Sequence, residues 1–278
     1  MIVTSHANRP VRLAVVNGRA VITKRYVDAD PGPVFRAMTD LWASSFGASR
    51  GNPGLPEPLG LNGDELTMAF ADGEPVAVRG TLGSAVAMSD IAATLLADLH
   101  ASGVMVPRVR DARALLRSTR RKCIDLASEE PQLQPLLNDL EHRAHAAAGR
   151  LPSATGDERL VINHGDFSPR NVLIGTRGAV LIDFDRLQMA SPARDVAYWG
   201  TWCWTTALLA DGNRSWTIAD RFLDHYLAQA GSSAAGVVAA QPFHRAMSLV
   251  RIAHGWSALR ADRVAVRRLL DEANSLLG

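Results

Sequence analysis

Lysine is the scarcest charge in this 278-residue chain: of 30 basic residues, only Lys24 and Lys122 are lysines. Each is worth a separate question, with a solvated surface cation as the default answer. Cysteine is nearly missing too. Cys123 and Cys203 form no CxxC pair and have no His cluster beside them, so neither a disulfide framework nor a structural zinc site is expected. Both read as buried, reduced thiols. No Lys/Arg block stands out and the formal net charge is only +2, which argues against nucleic acid or an anionic membrane surface as partner. The uncharged run Val196 to Ala210 falls short of the roughly 20 residues a membrane helix needs and reads as a buried helix. The opening MIVTSHANRP lacks the apolar stretch of an export signal, so a cytoplasmic protein is expected, as a monomer or homodimer.

What is present suits a folded, globular chain. With 47% apolar and 21% charged residues the chain can bury a sizeable core in one large or two smaller domains. Residues 11 to 26, VRLAVVNGRAVITKRY, put β-branched residues on both sides of Asn17-Gly18, a strong hairpin signal, and Lys24 falls near the end of the second strand. Val34, Met38, Leu41 and Trp42 recur at helical spacing up to about Phe46. Gly51 to Gly63 reads as a Pro/Gly-rich loop, Leu66 to Phe70 as a strand, and Ala71 to Pro75 as the break between two lobes. Beyond it the chain is mainly helical. Ser89 stands as a cap for a helix with Leu95, Leu96 and Leu99 on one face, and a Leu stripe from Leu133 to Leu140 marks another. Short β-branched runs return at Leu160–Asn163, Val172–Ile174 and Ala179–Ile182, and helices resume from about Ala193.

The informative segment is NHGDFSPRNVLIGTRGAVLIDFD, residues 163–185, which sets acids and an amide at the ends of short strands. Phosphoryl transfer needs a base for the attacking hydroxyl, oxygen ligands for magnesium, and cations near the phosphates. HGDFSPRNVL followed by LIDFD resembles the motifs of the aminoglycoside phosphotransferase and choline kinase family, HxDxxxxN and then apolar-D-x-D.

That resemblance implies an α+β, two-lobed protein-kinase-like fold. It has a small antiparallel-sheet lobe over residues 1–72, a hinge near 70–75, and a larger, mainly helical lobe over residues 73–278. It implies Asp166 as catalytic base, Asn171 and Asp183 as Mg2+ ligands, and His164 and Asp195 as supports of the catalytic loop. Arg170 is assigned to the transferred phosphate, an ordinary surface arginine being the alternative. Asp185 stands either near a second metal or as a salt-bridged acid beside Arg186. Lys24 matches the strand lysine that holds nucleotide phosphates, and backbone groups of Phe70 and Ala71 would meet adenine. The implied cofactor is ATP with Mg2+, GTP remaining open, and the implied partner is a small hydroxylated molecule.

Two departures from the family pattern stand out. The first helix offers Ala37 where an acid should pair with Lys24, leaving Asp40 as the candidate, and only the polar turn Ser5 to Pro10 precedes Lys24 where a Gly-rich loop would stand. From Arg186 onward ten arginines face seven acids, a poor match for a polycationic aminoglycoside, so a sugar, nucleoside or antibiotic-like natural product is expected ahead of an amino alcohol. Trp199 and Trp202 read as core or as an aromatic wall. No Ala-Pro-Glu follows Asp183, which speaks against a protein substrate. A nucleotide-binding protein without turnover is the alternative that the missing acid and glycines suggest.

Overall fold

The computed structural model of the chain describes residues 2–6, 9–48, 51–76, 88–151, 159–176, 178–234, 236–258 and 263–278. Its N-terminal part is an antiparallel sheet in the order β1 (Ile2–His6), β2 (Arg9–Val16), β3 (Arg19–Arg25), β5 (Glu65–Ala69), β4 (Pro58–Asn62). Asn17 and Gly18 both take positive φ, 50° and 75°, the backbone that a two-residue hairpin matching strand twist requires. The β2–β3 register then pairs Val11 with Lys24 and Leu13 with Ile22.

Helix α1 (Gly32–Ala43) follows β3, with Asp30 Oδ1 accepting from the Gly32 amide at 2.8 Å at its start. It buries Ala37, Met38 and Leu41 against the sheet side of the core. The expected loop at 51–63 is wrong in its second half, where residues 58–62 form β4. Pro58 is tolerated there because β4 is a sheet edge. The Asn62-Gly63 pair, with Gly63 at φ 57°, turns it into β5, so a second hairpin signal was present in the sequence.

The chain leaves the sheet after Ala69 and immediately joins the rest of the molecule. β6 (Glu74–Pro75) pairs with β8 (Val172–Gly175), which pairs with β9 (Gly178–Leu181). Gly73 sits at φ 140° with the Ile174 carbonyl 2.9 Å from where a Cβ would stand, a crossing that admits only glycine. A two-stranded ribbon, β7 (Val161–Asn163) with β10 (Gln188–Ala190), completes the small sheets.

Helices make up most of the remainder: α2 (Ser89–Ala101), α3 (Ala112–Glu129), α4 (Gln134–Ala148), α5 (Ala193–Asp211), α6 (Thr217–Ala230), α7 (Val237–Ala258) and α8 (Arg263–Leu276). Ser89 is the first residue of α2 and not the cap before it. Asp111 does cap α3, accepting from the Ala114 amide at 2.7 Å, and Gly212 closes α5 at φ 75°, the left-handed stop that glycine supplies. Trp199 lies in the core, stacked on Phe222 with centroids 5.0 Å apart. Both cysteines are free and buried, and burial pushes each thiol up to about 12, as expected of inert core thiols. No described helix is long and apolar enough to cross a membrane.

Candidate active site

Asp166 sits in the loop between β7 and a short helical turn, Pro169–Asn171, that leads into β8. The loop is pinned from three sides. Asp195, in the first turn of α5, accepts from the backbone amides of His164 and Gly165 at 2.6 and 3.0 Å. His164, fully buried, donates from Nε2 to the Ile182 carbonyl at 2.9 Å and meets Phe184 edge-on. Asn171 donates from Nδ2 to the Asp166 carbonyl at 2.9 Å, which leaves its Oδ1 as the donor atom still available to a cation. The carboxylate of Asp195 is held below its usual range: burial opposes ionisation, but the His100 hydrogen bond and the fields of His100, His164 and Arg194 outweigh it.

Asp166 is 7% exposed, and its side chain is gripped by a residue that no sequence motif marks. Arg251, on α7, donates from Nη2 to Asp166 Oδ1 at 2.6 Å and from Nη1 to the Gly165 carbonyl at 2.8 Å, its guanidinium 4.2 Å above the Tyr198 ring. Arg170 stands off, 3.7 Å from Asp166 Oδ2, half exposed and over the Trp202 ring. Burial pushes the Asp166 carboxyl up, yet Arg251 first, then Arg170 and Arg186, bring it net below the usual carboxylate range.

Asp183 follows β9 in the left-handed region, φ 66° and ψ 66°, a conformation that Asp tolerates better than most residues. Its Oδ1 accepts from Lys24 Nζ at 2.7 Å, and the same ammonium reaches Asp185 Oδ2 at 2.6 Å. Desolvation opposes ionisation of Asp183, and the field and hydrogen bond of Lys24 more than offset it, so its carboxyl is net lowered. Asp185 also accepts from the Tyr26 hydroxyl at 2.5 Å and from Arg9. Burial, together with that carboxylate, drives the Tyr26 hydroxyl far above its ordinary range.

These contacts correct two expectations. Asp40 is exposed on α1 and does not partner Lys24; Asp183 and Asp185 do. Asp185 is a salt-bridged acid, as one reading had it, but its cations are Lys24 and Arg9, not Arg186. The turn expected to lie over the phosphates is partly strand: residues 5 and 6 belong to β1, Arg9 and Pro10 to β2, and residues 7 and 8 lie outside the described residues. Phe70 spends its amide on the Ala20 carbonyl at 3.1 Å, so it is not the hinge donor; its carbonyl and the groups of Ala71 are what the junction offers. Lys24 is bonded to Asp183, Asn171 and Arg170 lie against Asp166, and Asp166 is near enough to Asp183 for the two carboxylates to repel; Phe70 and Ala71 stand at the end of the sheet.

Comparison with known proteins now fixes the class. Residues 35–243 match the model of the phosphotransferase enzyme family, APH, and the chain belongs to that family. The fold is kinase-like, an antiparallel N-terminal sheet followed by a mainly helical region. It is similar to an aminoglycoside phosphotransferase, APH(4)-Ia (TM-score 0.68, 13% identity, covering 100% of this chain and 93% of that one). The choline kinase LicA from Streptococcus pneumoniae is similar too (0.65, 13%, 100% and 92%). So is a choline/ethanolamine kinase family protein from Mesorhizobium loti (0.65, 13%, 98% and 86%). APH(4)-Ia has also been solved with ADP and hygromycin B (0.66, 11%, 100% and 92%). Among curated proteins none matches the sequence.

Proposed function

We propose that the protein is an ATP- and magnesium-dependent kinase that moves the γ-phosphoryl group to a hydroxyl of a small molecule. The observation that carries this reading is the position of Asp166. Its carboxylate is held ionised by Arg251, on a loop braced by Asp195, and is near enough to Asp183, the partner of Lys24, for the two carboxylates to repel. An ionised carboxylate at that place takes the proton of the acceptor hydroxyl as its oxygen attacks the γ-phosphorus in line with the departing ADP. Lys24 supports the nucleotide phosphates, and Arg170 reaches the group in transfer.

Asn171 Oδ1 and the Asp183 carboxylate are the residues that would hold Mg2+. Hard oxygen donors, only two of them protein atoms, suit a cation that takes its other ligands from phosphate and water. Among the described residues no group of three or more His, Cys, Asp or Glu side chains forms an all-protein metal cage. Bound there, Mg2+ neutralises developing charge on the phosphates. The Phe70 carbonyl and the Ala71 backbone, at the end of β5, are the groups that would meet the nucleotide base, and the lobes would divide near residues 70–75. One protein of similar fold is a choline kinase and another is held in complex with ADP and hygromycin B, so fold alone leaves the acceptor open.

The test is ADP release with magnesium and ATP or GTP across neutral, anionic and cationic hydroxyl compounds, with Asp166→Ala as control. Acceptor-dependent release abolished in the control supports the reading. Nucleotide binding without release from any acceptor supports a non-catalytic binder instead.

A further inference from the structure

The cavity next to Asp166 is walled by cations. It is lined by Arg110, which precedes α3, Lys122 on α3, Arg186 after β9, Arg194 on α5 and Arg251 on α7; among the described residues the only acid lining it is Asp195. That carboxylate is already committed to two backbone amides of the loop. Of the five cations, Arg251 alone has a salt bridge, to Asp166 itself; Arg110, Lys122, Arg186 and Arg194 have none to a described residue. Lys122 Nζ is bonded only to neutral groups, the Ser118 hydroxyl at 2.7 Å and carbonyl at 3.2 Å.

Helices and loops from five places in the chain thus bring positive charge to one cavity, and among the described residues only Asp195 faces it with a negative one. Arg110, Lys122, Arg194 and Arg251 are half-buried, so packing sets their positions, while Arg186 is exposed at the rim. Two polar groups in the same wall have no partner: Arg194 Nη1, and Nδ1 of His244, a side chain 4% exposed. A buried polar atom without a bond is costly enough that native proteins seldom keep one without use. Burial first, then Arg251 and Arg110, lower Lys122 to about 8, and burial lowers Arg194 to about 9 despite the help of Asp195.

Gly165 lines this cavity, and Arg251 joins it to Asp166, so what binds in it is within reach of the proposed base. We infer that the acceptor is itself an anion: a small hydroxyl compound carrying a phosphate or carboxylate group, which docks among Arg110, Lys122 and Arg194 and presents its hydroxyl to Asp166. This rests on the kinase reading above. The number of unpaired cations favours the doubly charged phosphate ester, which guanidinium groups meet with paired hydrogen bonds. A polycation such as an aminoglycoside, or choline, meets the opposite field.

Matched acceptors decide it. ADP release is measured with glucose, gluconate and glucose 6-phosphate, with glycerol, glycerate and glycerol 3-phosphate, and with kanamycin and choline. The expected result is at least tenfold higher kcat/KM for the anionic member of a set, the phosphate and carboxylate arms telling the two chemistries apart. Lys122→Met and Arg110→Ala should each raise KM for that acceptor at least tenfold with KM for ATP unchanged, and Lys122→Arg should restore it. Preference for neutral or cationic acceptors, or unchanged KM in both variants, overturns the inference while leaving a kinase.

If no acceptor releases ADP, the kinase reading is what has failed, and calorimetry with inorganic phosphate decides the pocket by itself. Millimolar or tighter binding that is lost in Lys122→Met supports an anion site, whereas absent or undiminished binding overturns it. Arg110 is partly exposed, so its replacement keeps the test available should Lys122→Met fold poorly.

Discussion

Arg251 and Asp166 are 85 residues apart in sequence and joined by a 2.6 Å hydrogen bond, with the second Nη of Arg251 on the carbonyl of the residue before Asp166. The guanidinium therefore fixes both the charge and the direction of the carboxylate. It acts as a positioning residue for the proposed base. A base with a depressed pKa works over a wide acid range, because the active form is the ionised one.

Removing that cation should expose its role in a pH profile. In Arg251→Met the Asp166 carboxyl rises, so the acid limb of kcat at saturating acceptor moves to higher pH, and kcat at neutral pH falls by about tenfold, some 1.4 kcal/mol of barrier. An unmoved limb, measured over pH 4.5 to 8, would mean that Arg251 only supports the fold.

For Asp166→Asn the expected loss in kcat is about 10²- to 10⁴-fold, the usual range for one general base. Nucleotide affinity, read by fluorescence or calorimetry, should stay as in the parent protein. Near-parental turnover would remove Asp166 from the mechanism.

Asp183→Asn should abolish the magnesium dependence of nucleotide binding while nucleotide alone still binds weakly through Lys24. A magnesium titration indistinguishable from the parent's would rule Asp183 out as a ligand.

Asp185→Ala leaves Arg9 and Tyr26 without their shared acceptor and Lys24 with Asp183 alone. Loss of a hydrogen bond to a charged group costs about 1.5–3 kcal/mol, so the denaturation midpoint falls, and KM for ATP rises because Lys24 is less firmly placed. A parental midpoint and KM together would show that the cluster holds nothing in register.

Asp195 carries a stability prediction with a definite sign. Its pKa is lower folded than unfolded, so its contribution is present in full above the unfolded carboxylate value, about 4, and drains away as pH falls through the lower folded value. Asp195→Asn should destabilise at pH 7 and converge on the parent in strong acid. Parallel melting curves at every pH would contradict the assignment.

Much of this site could be read from the chain because its chemistry is local. His164, Asp166, Asn171 and Asp183 lie within 20 residues of one another, in loops and turns between short strands whose β-branched runs announce them. Lys24 was legible for a different reason: one lysine on a strand after an Asn-Gly turn has few alternative explanations. The partners of those residues were not legible. Arg251 is one arginine among ten in the C-terminal third, and nothing in its helix marks it out. Asp185 looked like a neighbour of Arg186 because adjacency is all that sequence offers, whereas the fold gives it cations from β2 and β3. The edge strand β4 is hidden within a Pro/Gly-rich stretch that reads as a loop, although an edge is where a strand proline belongs. Cys123, Cys203 and Trp199 behaved as their composition suggested, since burial of apolar surface needs no particular partner.

The bonds from Asp183 and Asp185 to Lys24, and from Asp185 to Arg9, span 159, 161 and 176 residues. During synthesis the N-terminal sheet emerges long before the acids that hold its lysine in place. Until residues 183–185 have left the ribosome, Lys24 and Arg9 must wait in water without them, and the cleft becomes complete only when the later half of the chain arrives to close it.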